Sequence, residues 1–210
     1  MFKTSFLEVR RSHMNKLDIK TIAKIAILAA ISVVIMMISF PLPSIAPTFY
    51  KMDFSEVAVL IGTFALGPLC AVIIEALKIL LNLLMNGTNT AFIGELANFL
   101  MGCALVFPAG IIYQKNKTRK SAVIGIVTGI ICMVIAGDLL NYFLLIPAYV
   151  NIAHFPLEAI IAAGTKIFPF IKNTLSLVLV CVTLFNLIKG IAVGIVTLLL
   201  YKRVSPLLHK

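Results

Sequence analysis

Glu75, Lys78 and Asn82 stand at i, i+3 and i+7, and Glu95 with Asn98, Asp138 with Asn141, and Asn186 with Lys189 each stand three residues apart, inside runs that are otherwise aliphatic. That spacing gathers each set on one face of a helix. Followed along the chain direction, Asn82, Glu95, Asn98 and Asn141 fall in the same outer half of their runs, with Asn186 and Lys189 nearer the middle. These faces can converge on an outward-opening pocket lined by amide donors and acceptors plus one ammonium, chemistry that suits a neutral or weakly acidic heteroaromatic solute.

Enzymatic chemistry lacks its parts. Lys189 could form a Schiff base and Glu95 could serve as a general base, but no nucleophile has an adjacent base and no cluster has metal-ligand spacing. Cys70, Cys103, Cys132 and Cys181 each lie alone in an apolar run, without the pairing of a disulfide framework or a zinc site. His13, His154 and His209 fall in loops or tails. We assign no catalytic residue, metal ligand or cofactor.

An ionisable side chain in hydrocarbon costs about 2.5–3.5 kcal/mol on insertion scales, so each needs a partner, a cavity or a purpose. Glu75 and Lys78 read equally well as an intrahelical pair or as functional groups. Asn141, Asn186 and Lys189 read as ligand-binding groups, because Lys189 has no acid within its own helix. The competing reading makes the asparagines interhelical hydrogen-bond glue and pairs Lys189 with Asp138.

The elements that must position these residues follow from composition. The 210 residues are 61% hydrophobic and 12% charged, with a mean hydropathy of +1.09. That leaves too little polar surface to enclose a water-soluble core, so the expected class is an all-α integral membrane protein. A helical span needs about 20 apolar residues, which allows roughly six spans with short loops and no separate soluble domain. The expected spans are 21–39, 54–66 (short), 69–85, 92–113, 121–145 and 173–201. Pro41-Leu42-Pro43 stops the first and Gly67-Pro68 hinges the second to the third; a long connection over 151–170 has room for a short helix. The first run lacks a small-residue cleavage site and reads as an uncleaved helix.

The net charge of +10 would suit nucleic acid if it formed one stripe, but it falls in short clusters between the apolar runs. Lys3, Arg10, Arg11, Lys16, Lys20 and Lys24 precede or open the first span; Lys115, Lys117, Arg119 and Lys120 follow the fourth; Lys202, Arg203 and Lys210 follow the last. All three clusters share a side only if an even number of spans separates them, and the positive-inside rule names that side cytoplasmic. Residues 1–20 and 202–210 are therefore expected as cytoplasmic basic segments around a single six-helix domain, 21–201. In the first span, Ala26 and Ala30 form a small-xxx-small pattern suited to close helix approach, which internal packing alone would explain.

The chain resembles the substrate-binding S components of energy-coupling factor (ECF) vitamin transporters, and within them the riboflavin-specific group. The resemblance rests on Met52-Asp53-Phe54-Ser55-Glu56-Val57, Phe64-Ala65-Leu66-Gly67-Pro68, Gly94-Glu95-Leu96-Ala97-Asn98-Phe99, Asn141-Tyr142 with Pro147-Ala148-Tyr149, and Asn186-Leu187-Ile188-Lys189-Gly190. It implies a six-helix bundle in the bacterial plasma membrane that captures riboflavin from outside and performs no chemistry. It further implies that Asn141, Asn186 and Lys189 hydrogen-bond the ligand's ring, joined by Glu95 and Asn98, under a lid containing Pro47, Phe49 and Tyr50. Ala26 and Ala30 would meet a transmembrane coupling subunit connected to two cytoplasmic ATPases, since this chain carries no P-loop pattern. The alternatives are an S component for another vitamin or nucleobase-like solute, or an autonomous secondary transporter, which would often show an internal repeat that is not found here.

Overall fold

A computed structural model describes the backbone of residues 18–208 and the side chains of residues 18–201. Most of the terminal basic clusters, with His13 and His209, lie outside the residues whose side chains are described. The elements are α1 (Ile19–Met37), a two-stranded hairpin of β1 (Phe40–Pro41) and β2 (Lys51–Met52), α2 (Ser55–Leu66), α3 (Pro68–Asn86), α4 (Ile93–Lys115), α5 (Arg119–Leu140), α6 (Ile146–Asn151), α7 (Leu157–Thr165), α8 (Thr174–Leu177) and α9 (Thr183–Leu208). A π-helical turn, Asn141–Leu145, joins α5 to α6, and another, Val178–Val182, joins α8 to α9.

Among the described residues, five stretches are long and apolar enough to cross a membrane: Ile19–Met37, Pro68–Asn86, Ile93–Lys115, Arg119–Asn151 and Thr174–Tyr201. The sixth expected span is α2, whose 12 residues rise only about 18 Å, against roughly 30 Å of hydrocarbon. It is enclosed by α1, α3, α4 and α9, and Val59, Leu60 and Thr63 are fully buried. A helix solvated by protein on all sides has no bilayer thickness to match. It ends at Gly67, where φ is 97° and a side chain would be strained, and Pro68 then opens α3 at the position where a missing amide hydrogen is harmless.

The fifth span does not stop near Pro147 as the sequence reading expects; it continues to Asn151. Pro147 cannot donate to the carbonyl four residues back, and the wider turn over Asn141–Leu145 carries the chain past that gap. The last span starts where Asn173 and Ser176 form a reciprocal capping box, Ser176 N donating to Asn173 Oδ1 at 2.8 Å. Against α4, α5 packs so closely that a methyl at Gly125 would lie 2.7 Å from the Ala109 carbonyl oxygen. One end of the bundle is closed by Phe64, Tyr113 and Tyr201, their ring centroids 4.7–6.0 Å apart, with the two tyrosine hydroxyls hydrogen-bonded. The hairpin, pairing Phe40 with Met52 and Pro41 with Lys51, lies at the other end and was not foreseen in the sequence.

Candidate functional site

At the hairpin end a cavity of about 480 Å³ is bordered by the last turns of α1 and α3, the start of α4, the first π turn, α9 and the hairpin. That volume is in the range of small-molecule sites. Asn141, Asn186, Lys189, Glu95 and Asn98 all border it, as does Asn82. Each of the spaced sets thus sends at least one member to this space, whereas Glu75, Lys78 and Asp138 do not border it.

Asn141 opens the π turn. Its Nδ2 donates to the Gly137 carbonyl at 2.8 Å, and its Oδ1 accepts from the Tyr50 hydroxyl at 2.8 Å. Tyr50 is brought there by a tight turn, its amide donating to the Pro47 carbonyl at 2.9 Å, and by β2 immediately after it. Burial pushes the Tyr50 phenol above its ordinary range, so it remains a neutral donor. Asn186 is 5% exposed and its side chain makes no hydrogen bond among the described residues. Its amide lies over Gly137, where a side chain would displace it. Four aromatic rings share the cavity: Phe49 packs on Tyr50 (4.6 Å) and Tyr149 (6.2 Å), and Tyr50 on Phe185 (5.6 Å).

Asp138 is not the partner of Lys189. It accepts from Thr183 Oγ1, 2.9 Å from both carboxylate oxygens, while Lys189 Nζ donates to Asp53 Oδ2 at 3.0 Å. Asp138 faces the seam between α5 and the second π turn, and Asp53 arrives from the segment between β2 and α2, a proximity that spacing within helices cannot reveal. Asp53 also accepts from the Ser55 amide at 2.9 Å and from the Ser55 hydroxyl. Burial alone would raise its carboxyl, but the ammonium groups of Lys189 and Lys78 and the Ser55 donors outweigh this and hold it down to about 2.

The intrahelical reading of Glu75 and Lys78 is incomplete. Lys78 Nζ lies 2.6 Å from Glu75 and 2.6 Å from Glu56 of α2, and also reaches Ser55 Oγ at 3.3 Å and Asn98 Oδ1 at 3.2 Å. Glu95 is likewise part-committed: it accepts from Thr88 (3.0 Å) and Thr90 (3.2 Å), bracing a turn in which Ala91 and Phe92 adopt φ of 49° and 67°. Of the lid residues, Phe49 and Tyr50 border the cavity and Pro47 is buried beneath the turn. On α1, Ala29 is buried whereas Ala26 and Ala30 point out of the bundle, which removes internal packing as their explanation. The sequence reading missed Asp53, Glu56, Tyr149 and Phe185 as cavity residues. Two acids flanking Ser55 ahead of an apolar run were the available signal for the first two.

The site can hold a flat solute between rings while open amide groups and one ammonium meet its polar edge. Residues 20–201 match the family described as ECF transporter, substrate-specific component. The chain is 34% identical over 204 residues to the riboflavin transporter RibU of Staphylococcus aureus (strain TCH60), covering 95% of this chain and 98% of that one. It is 29% identical over 191 residues to the riboflavin transporter FmnP of Bacillus subtilis (strain 168), covering 90% and 94%. Among solved structures it is similar to the S component of a bacterial ECF transporter, with a TM-score of 0.69, 32% identity, and coverage of 91% of this chain and 98% of that one.

Proposed function

Because the chain belongs to the family of ECF transporter substrate-specific components, we propose that it captures riboflavin in the hairpin-end cavity and passes it to an energising module in the bacterial plasma membrane. It acts as a binding subunit, not an enzyme. The observation that carries the site assignment is the shared cavity: Asn141, Asn186 and Lys189 border the same space as Phe49, Tyr50, Tyr149 and Phe185. Asn186 has its amide donors and acceptor open, Lys189 has donors beyond its one bond to Asp53, and Asn141 is engaged by a tyrosine that can be displaced. The flavin ring carries carbonyls and ring nitrogens along one edge and a broad apolar face, which these two kinds of side chain complement.

In this reading Glu95 and Asn98 contribute at the cavity wall, and Phe49 and Tyr50 form the lid, stiffened by Pro47 beneath them. The five long apolar stretches cross the membrane with α2 as an enclosed short sixth span, and the positive-inside rule puts both termini in the cytoplasm and the cavity outside. Ala26 and Ala30 form the smooth, exposed strip on which a transmembrane coupling subunit docks, and two cytoplasmic ATPases supply the hydrolysis for which this chain has no phosphate-binding loop.

The test is titration of the purified full chain with riboflavin, following the flavin's own fluorescence because the chain has no tryptophan. Saturable quenching that is lost in Asn186→Ala supports ligand and pocket together. Absence of binding by folded protein moves the assignment to an S component for another vitamin.

A further inference from the structure

Beneath the cavity lies a cluster of five buried charged side chains whose signs do not cancel. Asp53, Glu56 and Glu75 are 2%, 1% and 0% exposed, and Lys78 and Lys189 are 0% and 9%. Asp53 is matched with Lys189. Glu56 and Glu75 are left to share Lys78, each with one oxygen 2.6 Å from the same nitrogen, so those two oxygens are at most 5.2 Å apart. Glu56 Oε2 and both Glu75 oxygens have no hydrogen-bond partner among the described residues, because the Lys78 contact to Glu75 lies outside hydrogen-bonding geometry. The two carboxyl groups therefore converge on one ammonium with three of their four oxygens unsatisfied. Two buried carboxylates this close repel and neither can donate, and a proton on one of them relieves both conditions.

We propose that Glu56 and Glu75 together bind one proton at neutral pH, shared between their carboxyl groups beside Lys78. The proton supplies the missing donor and brings the cluster from three negative and two positive charges to neutrality, which a buried site requires. Among the described residues, no charged side chain beyond Lys78 and Lys189 pairs with Glu56, Glu75 or Asp53. Around the pair, α3 contributes Lys78, α4 contributes Asn98 and the Cys103 thiol, the segment before α2 contributes Asp53 with Lys189 of α9 beyond it, and α1 contributes the Ser32 hydroxyl, which donates to the Ser55 carbonyl. The charged residues of α1, Lys20 and Lys24, lie at least eight positions, about 12 Å of helix rise, before Ser32. Glu56 and Gly102 border the cavity, and the Glu75 carboxyl lies directly against Gly102, so the proton has a short path to the ligand space.

Infrared difference spectra of the full chain in detergent at neutral pH test this. A neutral carboxyl has a C=O stretch above the amide band that shifts in D2O, and a carboxylate does not. Wild type minus Glu75→Gln, and wild type minus Glu56→Gln, should each contain one such D2O-sensitive band. A pair of carboxylate bands in its place would overturn the proposal. So would a carboxyl band that appears only when sodium is replaced by choline, because a metal cation would then be the occupant. If either variant fails to fold, a Glu8→Gln, Glu95→Gln, Glu158→Gln triple variant grown on carboxyl-13C glutamate replaces it: a band that survives the substitutions and moves with the label belongs to Glu56 or Glu75, and a band that is lost or stays in place belongs elsewhere and overturns the proposal.

Discussion

Lys78 and Lys189 are both buried ammonium groups in one bundle, yet their surroundings differ in kind. Lys78 is fully buried, with two carboxyl groups at 2.6 Å, and its three protons are taken by Glu56, Ser55 and Asn98. Lys189 has one carboxylate at 3.0 Å and a side chain left 11% exposed. A saturated charge holds helices together; an undersaturated one beside a cavity is available to a ligand. The same division runs through the amides, since Asn98 is bonded to Lys78 while Asn186 is open.

The comparison breaks most visibly at its saturated end. Lys78→Met removes the countercharge of Glu56 and Glu75, and losing one side of a buried ionic cluster costs about 3–5 kcal/mol. The expected result is a collapse of the unfolding temperature in detergent; a variant as stable as the parent would show that Lys78 is not structural. Lys189→Met leaves buried Asp53 without its counter-charge and should also lower the unfolding temperature, but by less than Lys78→Met because Asp53 retains its Ser55 donors, while riboflavin affinity falls by about 1.5–3 kcal/mol, read by flavin quenching of the folded variant. Equal affinity in the two proteins would remove Lys189 from the site.

Tyr50→Phe sharpens the contrast within the cavity. The Tyr50 hydroxyl occupies Asn141 Oδ1, so its loss frees that acceptor and should tighten riboflavin binding by about 0.5–1.5 kcal/mol. Weaker binding would mean that this bond serves the closed, ligand-bound lid instead. The smallest effect on binding is expected far from both lysines. Ala26→Leu with Ala30→Leu adds bulk only on the outer face of α1, so quenching titrations should not change while uptake by cells falls. Loss of binding with normal complex assembly would reverse that assignment.

Much of this architecture was legible in one dimension. Long aliphatic runs have few other solvents than a bilayer, proline and Gly-Pro breaks mark where helices end, and three-residue spacing puts polar groups on a common face whatever that face meets. The continuation past Pro147 was not legible, because a π turn depends on how neighbouring helices support the widened backbone. The hairpin was hidden for a related reason: two-residue strands leave no alternating pattern.

The sequence by itself determined the helical membrane class, the polar faces and the family, because each depends on residue type at fixed spacing along the chain. Only the tertiary structure decided which charges meet. Asp53 reaches Lys189 across 136 positions and Glu56 reaches Lys78 across 22, while Asp138, the carboxylate favoured from sequence, turns to Thr183. Pairing of buried charges is set by distances of a few ångströms between elements, and those distances exist only once the helices are packed.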